Sequence, residues 1–163
     1  MNINRDDSYG FNRSDSKVPG EANALNILEM VAETCFMPLT WGGRIKSIGA
    51  MRDIFSKGAD KVCINTEIYR NPKLLSDAAQ QFGIQSIVAS IDVYKDEKTN
   101  QYNVYIDCGR ENIFQKPQDW AKHVEDLGAG EILLQSVNRD GKALGYDLEL
   151  IKLVSESVSI PVI

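Results

Sequence analysis

The 163-residue sequence has little histidine: His123 is the only one. It lies between Lys122 and Glu125 on a predicted helix that buries Trp120, Ala121, Val124 and Leu127, so we expect its ring to face solvent. A histidine base or a histidine-bound metal is therefore disfavoured. We predict no metal site and no cofactor, and acid–base chemistry falls to carboxylates.

Cysteine is also scarce. Cys35, Cys63 and Cys108 lie far apart, are odd in number and show no CxxC spacing. Neither a disulfide framework nor a zinc site fits this pattern, and we expect three reduced thiols.

Long apolar runs and basic clusters are missing as well. No run approaches the roughly 20 apolar residues that a membrane-spanning helix needs, and the first residues are polar, unlike a signal peptide. The net charge is −5, and the 18 Lys and Arg residues are scattered. We therefore predict a cytoplasmic protein that binds neither membrane nor nucleic acid. With 43% hydrophobic and 25% charged residues, residues 1–163 are expected to form a single domain.

What the sequence does contain is a regular alternation of helix and strand patterns. Helices are predicted at 22–34, 47–57, 72–82, 117–127 and 146–157, and strands at 36–41, 61–65, 86–93, 131–136 and from 160 onward. Such alternation with short loops is typical of a parallel sheet covered by helices.

Two internal echoes indicate a repeated unit. Residues 26–40 align without gaps to 149–163, and the segment 2–10 resembles 136–145. A shorter echo relates 58–64 to 128–134, two strands apart, which would place Lys61 and Glu131 in one layer at the N-terminal mouth of a barrel. From the residues alone, this pair is either an ion pair or two solvated charges.

Polar residues follow the predicted strands, where parallel folds carry their sites. They are Asn4–Asp6, Thr40 with Gly42 and Gly43, Asn65 and Thr66, Asp92, and Asn138–Gly141. Glycines let a backbone approach an anion, and Asn65 and Thr66 add donors, so this rim predicts a phosphate cradle. Asp92 ends an apolar strand and is either a general acid or base or a loop cap.

Several motifs together resemble a known family. The runs PLTWGGRIKSI, GADKVCINTEIYRNPKLL, SIVASIDVY and GAGEILLQSVNRDGKALGYDLELIKLVSESVSIPVI are similar to the HisF family, the cyclase subunit of imidazole glycerol phosphate synthase. The resemblance implies an α/β fold, an incomplete (β/α)8 TIM barrel that runs from the end of strand 2 to the start of strand 7.

The resemblance also implies a function in histidine biosynthesis. Members of the family take ammonia from a glutaminase partner and use it to convert a phosphorylated ribulosyl carboxamide into imidazole glycerol phosphate and aminoimidazole carboxamide ribotide. By resemblance, the catalytic residues here are Asp92 and the accessory Asp140. Phosphate-binding residues would be Gly42, Gly43, Asn65, Thr66 and Gly141, and Lys61 and Glu131 would line the ammonia entrance.

The sequence departs from the family pattern at four positions. Arg44 replaces the third glycine of a GGG loop, Tyr94 a lysine, Asn138 the first aspartate of DRDG and Asn2 an aspartate. The first strand with its catalytic aspartate, most of strand 7 and strand 8 are expected to lie outside this sequence. Two alternatives stay open: a sister barrel family in acetamidino-sugar biosynthesis, and a non-catalytic barrel fragment that binds only a partner or phosphate.

Overall fold

A computed structural model describes residues 24–163 of the chain. The echo of residues 2–10, Asn2 and the strand end at Asn4–Asp6 lie outside the described residues. The predicted alternation of helices and strands is found with two additions, a short helix after the second strand and a hairpin after the third. The helices are α1 Ala24–Thr34, α2 Ile48–Ser56, α3 Thr66–Arg70, α4 Pro72–Phe82, α5 Pro117–Asp126 and α6 Leu148–Ser155. The strands are β1 Thr40–Gly42, β2 Lys61–Ile64, β3 Ile87–Lys95, β4 Tyr102–Ile106, β5 Glu111–Asn112 and β6 Glu131–Ser136.

A parallel sheet forms the centre of the described structure. β1 pairs with β2, β2 with β3, and β3 with β6, all parallel. Val162 adds an isolated parallel bridge to Ile132, at the place where the sequence predicts a strand from residue 160 onward. The mixed α/β fold with a parallel sheet is thus confirmed, whereas the extent of the barrel stays a prediction.

β3 is the central strand, and its sequence explains why. Residues Ile87–Ile91 are buried, as expected for a strand covered on both faces. β2 pairs with residues 87–89 of this strand, β6 with residues 88–93, and β4 with its last residues, Asp92–Lys95. The apolar core joins this strand to α2, α4 and α5 through residues such as Met51, Leu75 and Val124.

Local signals mark the starts of four helices. Ser47 caps α2 by accepting a hydrogen bond from the amide of Ala50 at 3.1 Å, and Pro72 and Pro117 stand at the first positions of α4 and α5. Asp147 caps α6 through the amide of Leu150 at 3.2 Å. The bounds predicted for α2, α4, α5 and α6 differ from the observed ones by two residues at most. The start predicted for α1, at residue 22, lies outside the described residues, and α3 was not predicted.

The predicted strand at 36–41 is wrong in its position. Phe36 is 98% exposed and Met37 73% exposed, and β1 begins only at Thr40. The amide of Leu39 donates to the Asp60 carboxylate at 2.7 Å, and the Leu39 carbonyl accepts from the amides of Asp60 and Lys61. These contacts hold the chain at Leu39, so the apolar residues before it do not enter the sheet.

The antiparallel hairpin β4–β5 was not predicted from the sequence. β4 returns along β3 with Asp92 opposite Tyr105, and β5 pairs with the end of β4. The tip of the hairpin, residues 107–110, includes Asp107, Cys108 and Gly109 at positive φ. This insertion between β3 and α5 places four residues at the carboxyl end of the sheet.

Candidate functional site

A cleft of about 490 Å³ opens at the carboxyl ends of the parallel strands. Its walls come from the segment after β1, the end of β2, the middle of β3, the hairpin tip and the end of β6. Its lining includes the predicted residues Gly43, Asn65, Thr66, Asp92 and Asp140. Residues from four separate strand ends therefore meet in one cleft, as expected for a parallel sheet.

Asp92 lies in the interior wall of this cleft. The carboxyl group is partly buried, and burial raises its pKa above the ordinary value, while a hydrogen bond from Ser90 opposes the rise. The Ser90 hydroxyl lies 3.4 Å from Asp92 Oδ1. A partly buried carboxyl group with a raised pKa in a cleft is a candidate acid–base group, and the acid–base interpretation and the loop cap both stay predictions.

Ser90 and Cys63 surround Asp92, and the sequence analysis missed both. Ser90 is 5% exposed and Cys63 7% exposed. Burial first, and then the charge of Asp92, raise the pKa of the Cys63 thiol to about 11, although a hydrogen bond with Ser90 lowers it. Cys63 therefore stays a neutral thiol at physiological pH. All three cysteines carry free thiols, as predicted.

Asn65 and Thr66 form the wall between β2 and α3. Asn65 Nδ2 donates to the carbonyl of Ser90 at 3.2 Å, so the side chain ties β2 to β3. The Thr66 hydroxyl donates to Asn65 Oδ1 at 3.2 Å and accepts the amide of Asp107 at 3.0 Å. The two side chains predicted to hold phosphate thus also connect the sheet to the hairpin tip.

The glycine pair divides into two different roles. Gly43 lines the cleft with a φ of 109°, a conformation that favours glycine. Gly42 is buried in β1 and does not line the cleft; a Cβ there would lie 3.1 Å from the Cβ of Cys63. Gly42 therefore allows β1 to approach β2 closely. Arg44, at a φ of 57°, also lines the cleft.

Asp140 and Gly141 lie at a second, neighbouring depression of about 350 Å³. Asp140 lines both cavities and accepts a hydrogen bond from Gln135 Nε2 at 3.0 Å, whereas Gly141 lines only the second. The structure therefore brings Asp140 to the cleft with Asp92 but leaves Gly141 outside it.

Asn138 has a structural reason to be an amide. Its Oδ1 accepts the amide of Lys95 at 2.6 Å, and its Nδ2 donates to the carbonyl of Lys95 at 3.1 Å. An ionised aspartate could not make the second bond, because it has no hydrogen to donate. This pairing fixes the end of β6 to the end of β3.

Lys61 and Glu131 lie at the opposite end of the strands from the cleft. They form an ion pair across β3, with side chains 25% and 20% exposed. Of the two interpretations that the residues left open, the ion pair is therefore the one found. His123 is exposed, as predicted, and its ring lies tilted against that of Trp120, with the centroids 5.1 Å apart.

The hairpin adds residues that no sequence signal had indicated as functional. Asp107, Cys108, Gly109 and Arg110 all line the cleft. The alternation of Tyr102, Val104 and Ile106 with polar residues, followed by a Gly-containing turn, is the signal that could have revealed the hairpin. Within residues 24–163, no group of three or more His, Cys, Asp or Glu side chains is placed to hold a metal, and no helix is long and apolar enough to cross a membrane.

Comparison with known proteins agrees with this arrangement. Residues 15–163 match the family described as histidine biosynthesis protein. The chain belongs to that family. It is 47% identical over 139 residues to imidazole glycerol phosphate synthase subunit HisF of Alkaliphilus metalliredigens, which covers 85% of this chain and 55% of that protein. It is also 47% identical over 144 residues to the same subunit of Clostridium botulinum strain Langeland, covering 88% of this chain and 57% of that protein.

The resemblance to HisF proteins noted in the sequence is therefore confirmed. The chain spans little more than half the length of these curated relatives. The family assignment concerns the region that contains β1 to β6 and the cleft at their carboxyl ends.

Proposed function

We propose that this chain serves the cyclase reaction of imidazole glycerol phosphate synthase in histidine biosynthesis. In that reaction, ammonia reacts with a phosphorylated ribulosyl carboxamide to give imidazole glycerol phosphate and aminoimidazole carboxamide ribotide. One observation carries the proposal: Asp92, Asp140, Asn65, Thr66 and Gly43 line a single cleft in a chain that belongs to the family.

Asp92 is proposed as the acid–base group of ring closure. Its carboxylate is partly desolvated and its pKa is raised, so it can accept a proton in one step and return it in the next. Asp140 reaches the same cleft and is proposed as an accessory carboxylate beside the substrate. Two carboxyl groups in different environments can divide the roles of acid and base.

The wall of Gly43, Asn65 and Thr66 is proposed to hold one phosphate of the substrate. Gly42 supports this wall from behind, and Gly141 would approach the other phosphate from the neighbouring depression. Backbone amides near glycines and polar side chains at strand ends are a common anion-binding combination.

Lys61 and Glu131 are proposed to line an ammonia entrance that faces a glutaminase partner. The ion pair lies at the amino ends of β2 and β6, and Asp92 lies towards the carboxyl end of β3, which runs between them. Ammonia produced at that end would pass through the sheet region towards the cleft, so that catalytic and partner-binding surfaces are separate.

Turnover by Asp92→Asn tests the proposal. Ammonia-dependent cyclisation of the ribulosyl carboxamide is measured with the protein in its form from the source cells, whose intact mass is recorded in parallel. Asn keeps the size but removes the proton acceptor, so turnover should fall on the order of 10²-fold or more. Asp126→Asn, an exposed position on α5, is the matched control and should retain parental turnover.

Each alternative predicts a different result. Near-parental turnover in Asp92→Asn would remove Asp92 from the mechanism. Activity of the parent on an acetamido-sugar substrate instead of the carboxamide would favour the sister family. Binding of phosphosugar without turnover of either substrate would favour a protein that only binds.

A further inference from the structure

The β4–β5 hairpin crosses towards the cleft instead of continuing the helix–strand alternation. β4 pairs with the last residues of β3, directly beside Asp92, and the tip 107–110 then reaches the Asn65–Thr66 wall. Two contacts join the tip region to α3. The Thr66 hydroxyl accepts the amide of Asp107 at 3.0 Å, and Arg70 pairs with Glu111 at 3.4 Å.

Thr66 uses its only hydroxyl hydrogen within the protein. That hydrogen is donated to Asn65 Oδ1, while the oxygen accepts the amide of Asp107. A threonine hydroxyl has one hydrogen to donate, so in this arrangement the part that Thr66 plays in the proposed phosphate wall falls to its backbone amide and not to its hydroxyl. The Thr66 side chain therefore links the Asn65–Thr66 wall to the hairpin tip, and we call this link the latch.

Arg110 is the cation that this latch places in the cleft. Its Nε donates to the carbonyl of Asp107 at 2.9 Å, and its Nη2 lies 2.8 Å from Asp107 Oδ1. A guanidinium has five N–H groups in a rigid fork, so further donors remain for a ligand after these two bonds. The side chain is 55% exposed and lines the cleft, so a ligand can reach it.

The charge balance of the cleft makes an oriented cation important. Its lining contains four basic side chains, Arg44, Lys46, Arg70 and Arg110, and four acidic ones, Glu67, Asp92, Asp107 and Asp140. Equal numbers give no strong overall field for an anion. A phosphate is then bound through donors that are held in a fixed direction. Asp107 holds the Arg110 guanidinium in this way.

We propose that the hairpin tip is a phosphate strap: Arg110 donates to a phosphate group of the ligand, and Thr66 is a positioning residue that holds the tip over the cleft. This rests on the proposed function only in that the cleft takes a phosphorylated ligand. The strap supplies a guanidinium from a different segment of chain than the glycine loop and the Asn65 wall.

Titration of ribose 5-phosphate and of inorganic phosphate at low salt tests the strap. Arg110→Gln should weaken binding about tenfold, because it removes a charge-assisted donor, and Arg110→Lys should lose part of this affinity. Arg52→Gln removes the same charge from an exposed position on α2 and should leave binding unchanged.

A double-mutant cycle separates the latch from a direct phosphate contact. Thr66→Val should weaken binding, and Thr66→Ser, which keeps the hydroxyl, should restore it. If Thr66 acts through Arg110, Thr66→Val has little further effect in the Arg110→Gln background. Additive losses would instead show a direct contact and overturn the latch.

The outcomes also separate the strap from the proposed reaction. Equal affinity in the parent and Arg110→Gln overturns the strap, whether or not cyclisation occurs. Loss of affinity in Arg110→Gln without ammonia-dependent turnover in the parent supports the strap and contradicts the proposed reaction. A parent that binds neither phosphate compound overturns the strap together with the phosphate cradle.

Discussion

The two ends of the parallel strands differ in how they are filled. At the amino ends, Lys61 and Glu131 pair with each other, and Gly130 lies so close to Ile84 that a Cβ would be 2.1 Å from the Ile84 carbonyl oxygen. At the carboxyl ends, polar side chains line a cleft of about 490 Å³. In the neighbouring depression, a Cβ on Gly141 would meet nothing within 4 Å. The amino ends are closely packed around this ion pair, whereas the carboxyl ends enclose an open cleft.

This difference follows from the direction of the strands. In a parallel sheet every strand leaves the core at the same edge, so loops of different length and chemistry collect there. The opposite edge receives the short returns from the helices, such as Gly128–Gly130, and these pack tightly because little chain is available. Close packing and open space are therefore found at opposite edges of the same sheet.

The largest difference in stability is expected between two glycine-to-alanine variants, one at the amino ends of the strands and one at the carboxyl ends. Gly130→Ala should destabilise the fold by about 3 kcal/mol, because the new Cβ meets backbone atoms that cannot move aside easily. Gly141→Ala should cost only about 1 kcal/mol, from its positive φ of 70°. Urea unfolding of both variants measures the difference. Equal losses would show that the two ends are packed alike.

A smaller loss of stability is expected from breaking the Lys61–Glu131 ion pair at the amino ends of the strands. Lys61→Met leaves the partly buried Glu131 without its partner and should lower the free energy of unfolding by on the order of 1 kcal/mol, between the values for surface and buried pairs. Lys61→Met with Glu131→Leu should recover much of the loss. Lys57→Met, which breaks the more exposed pair with Glu29, is the control and should cost less. Identical costs would mean that burial of the pair adds nothing.

The smallest effect is the pH dependence of stability that Asp92 causes at the carboxyl ends of the strands. Burial raises the pKa of Asp92 above its ordinary value of 3.8, so the folded state favours the protonated form. This contribution to stability is present below that ordinary value and is lost as pH rises through the raised pKa. Asp92→Asn should therefore become more stable relative to the parent as pH rises from acidic to neutral. Asp126→Asn provides the comparison, and a stability difference for Asp92→Asn that does not change with pH would contradict this account.

Much of the fold could be predicted because its signals are local. Helix periodicity, the caps at Ser47 and Asp147, and prolines at helix starts depend on residues close in sequence. The strand of buried residues at Ile87–Ile91 is similarly visible as an apolar run. The strand predicted at 36–41 failed because an apolar run does not reveal that contacts of Leu39 with Asp60 and Lys61 delay the entry into the sheet.

The candidate site was predictable to the extent that it follows strand ends. Gly43, Asn65, Thr66, Asp92 and Asp140 come together because parallel strands end at one edge. Gly42 and Gly141 follow strands as well, yet a single step along a strand or turn moves a residue from the cleft to the core or to a neighbouring depression. Position in the sequence predicts at which edge of the sheet a residue lies, but not whether the residue faces the cleft.

The sequence by itself determined the family, the alternation of helices and strands and the strand-end residues, since these depend on local pattern and recognisable motifs. Only the tertiary structure decided the surroundings of Asp92, where Cys63 from β2 and Ser90 from β3 adjoin the carboxyl group, and the position of the hairpin tip against Thr66. These contacts join residues up to 41 positions apart in the chain. Such pairings depend on packing and hydrogen bonds between distant segments, for which a single sequence carries no periodic signal.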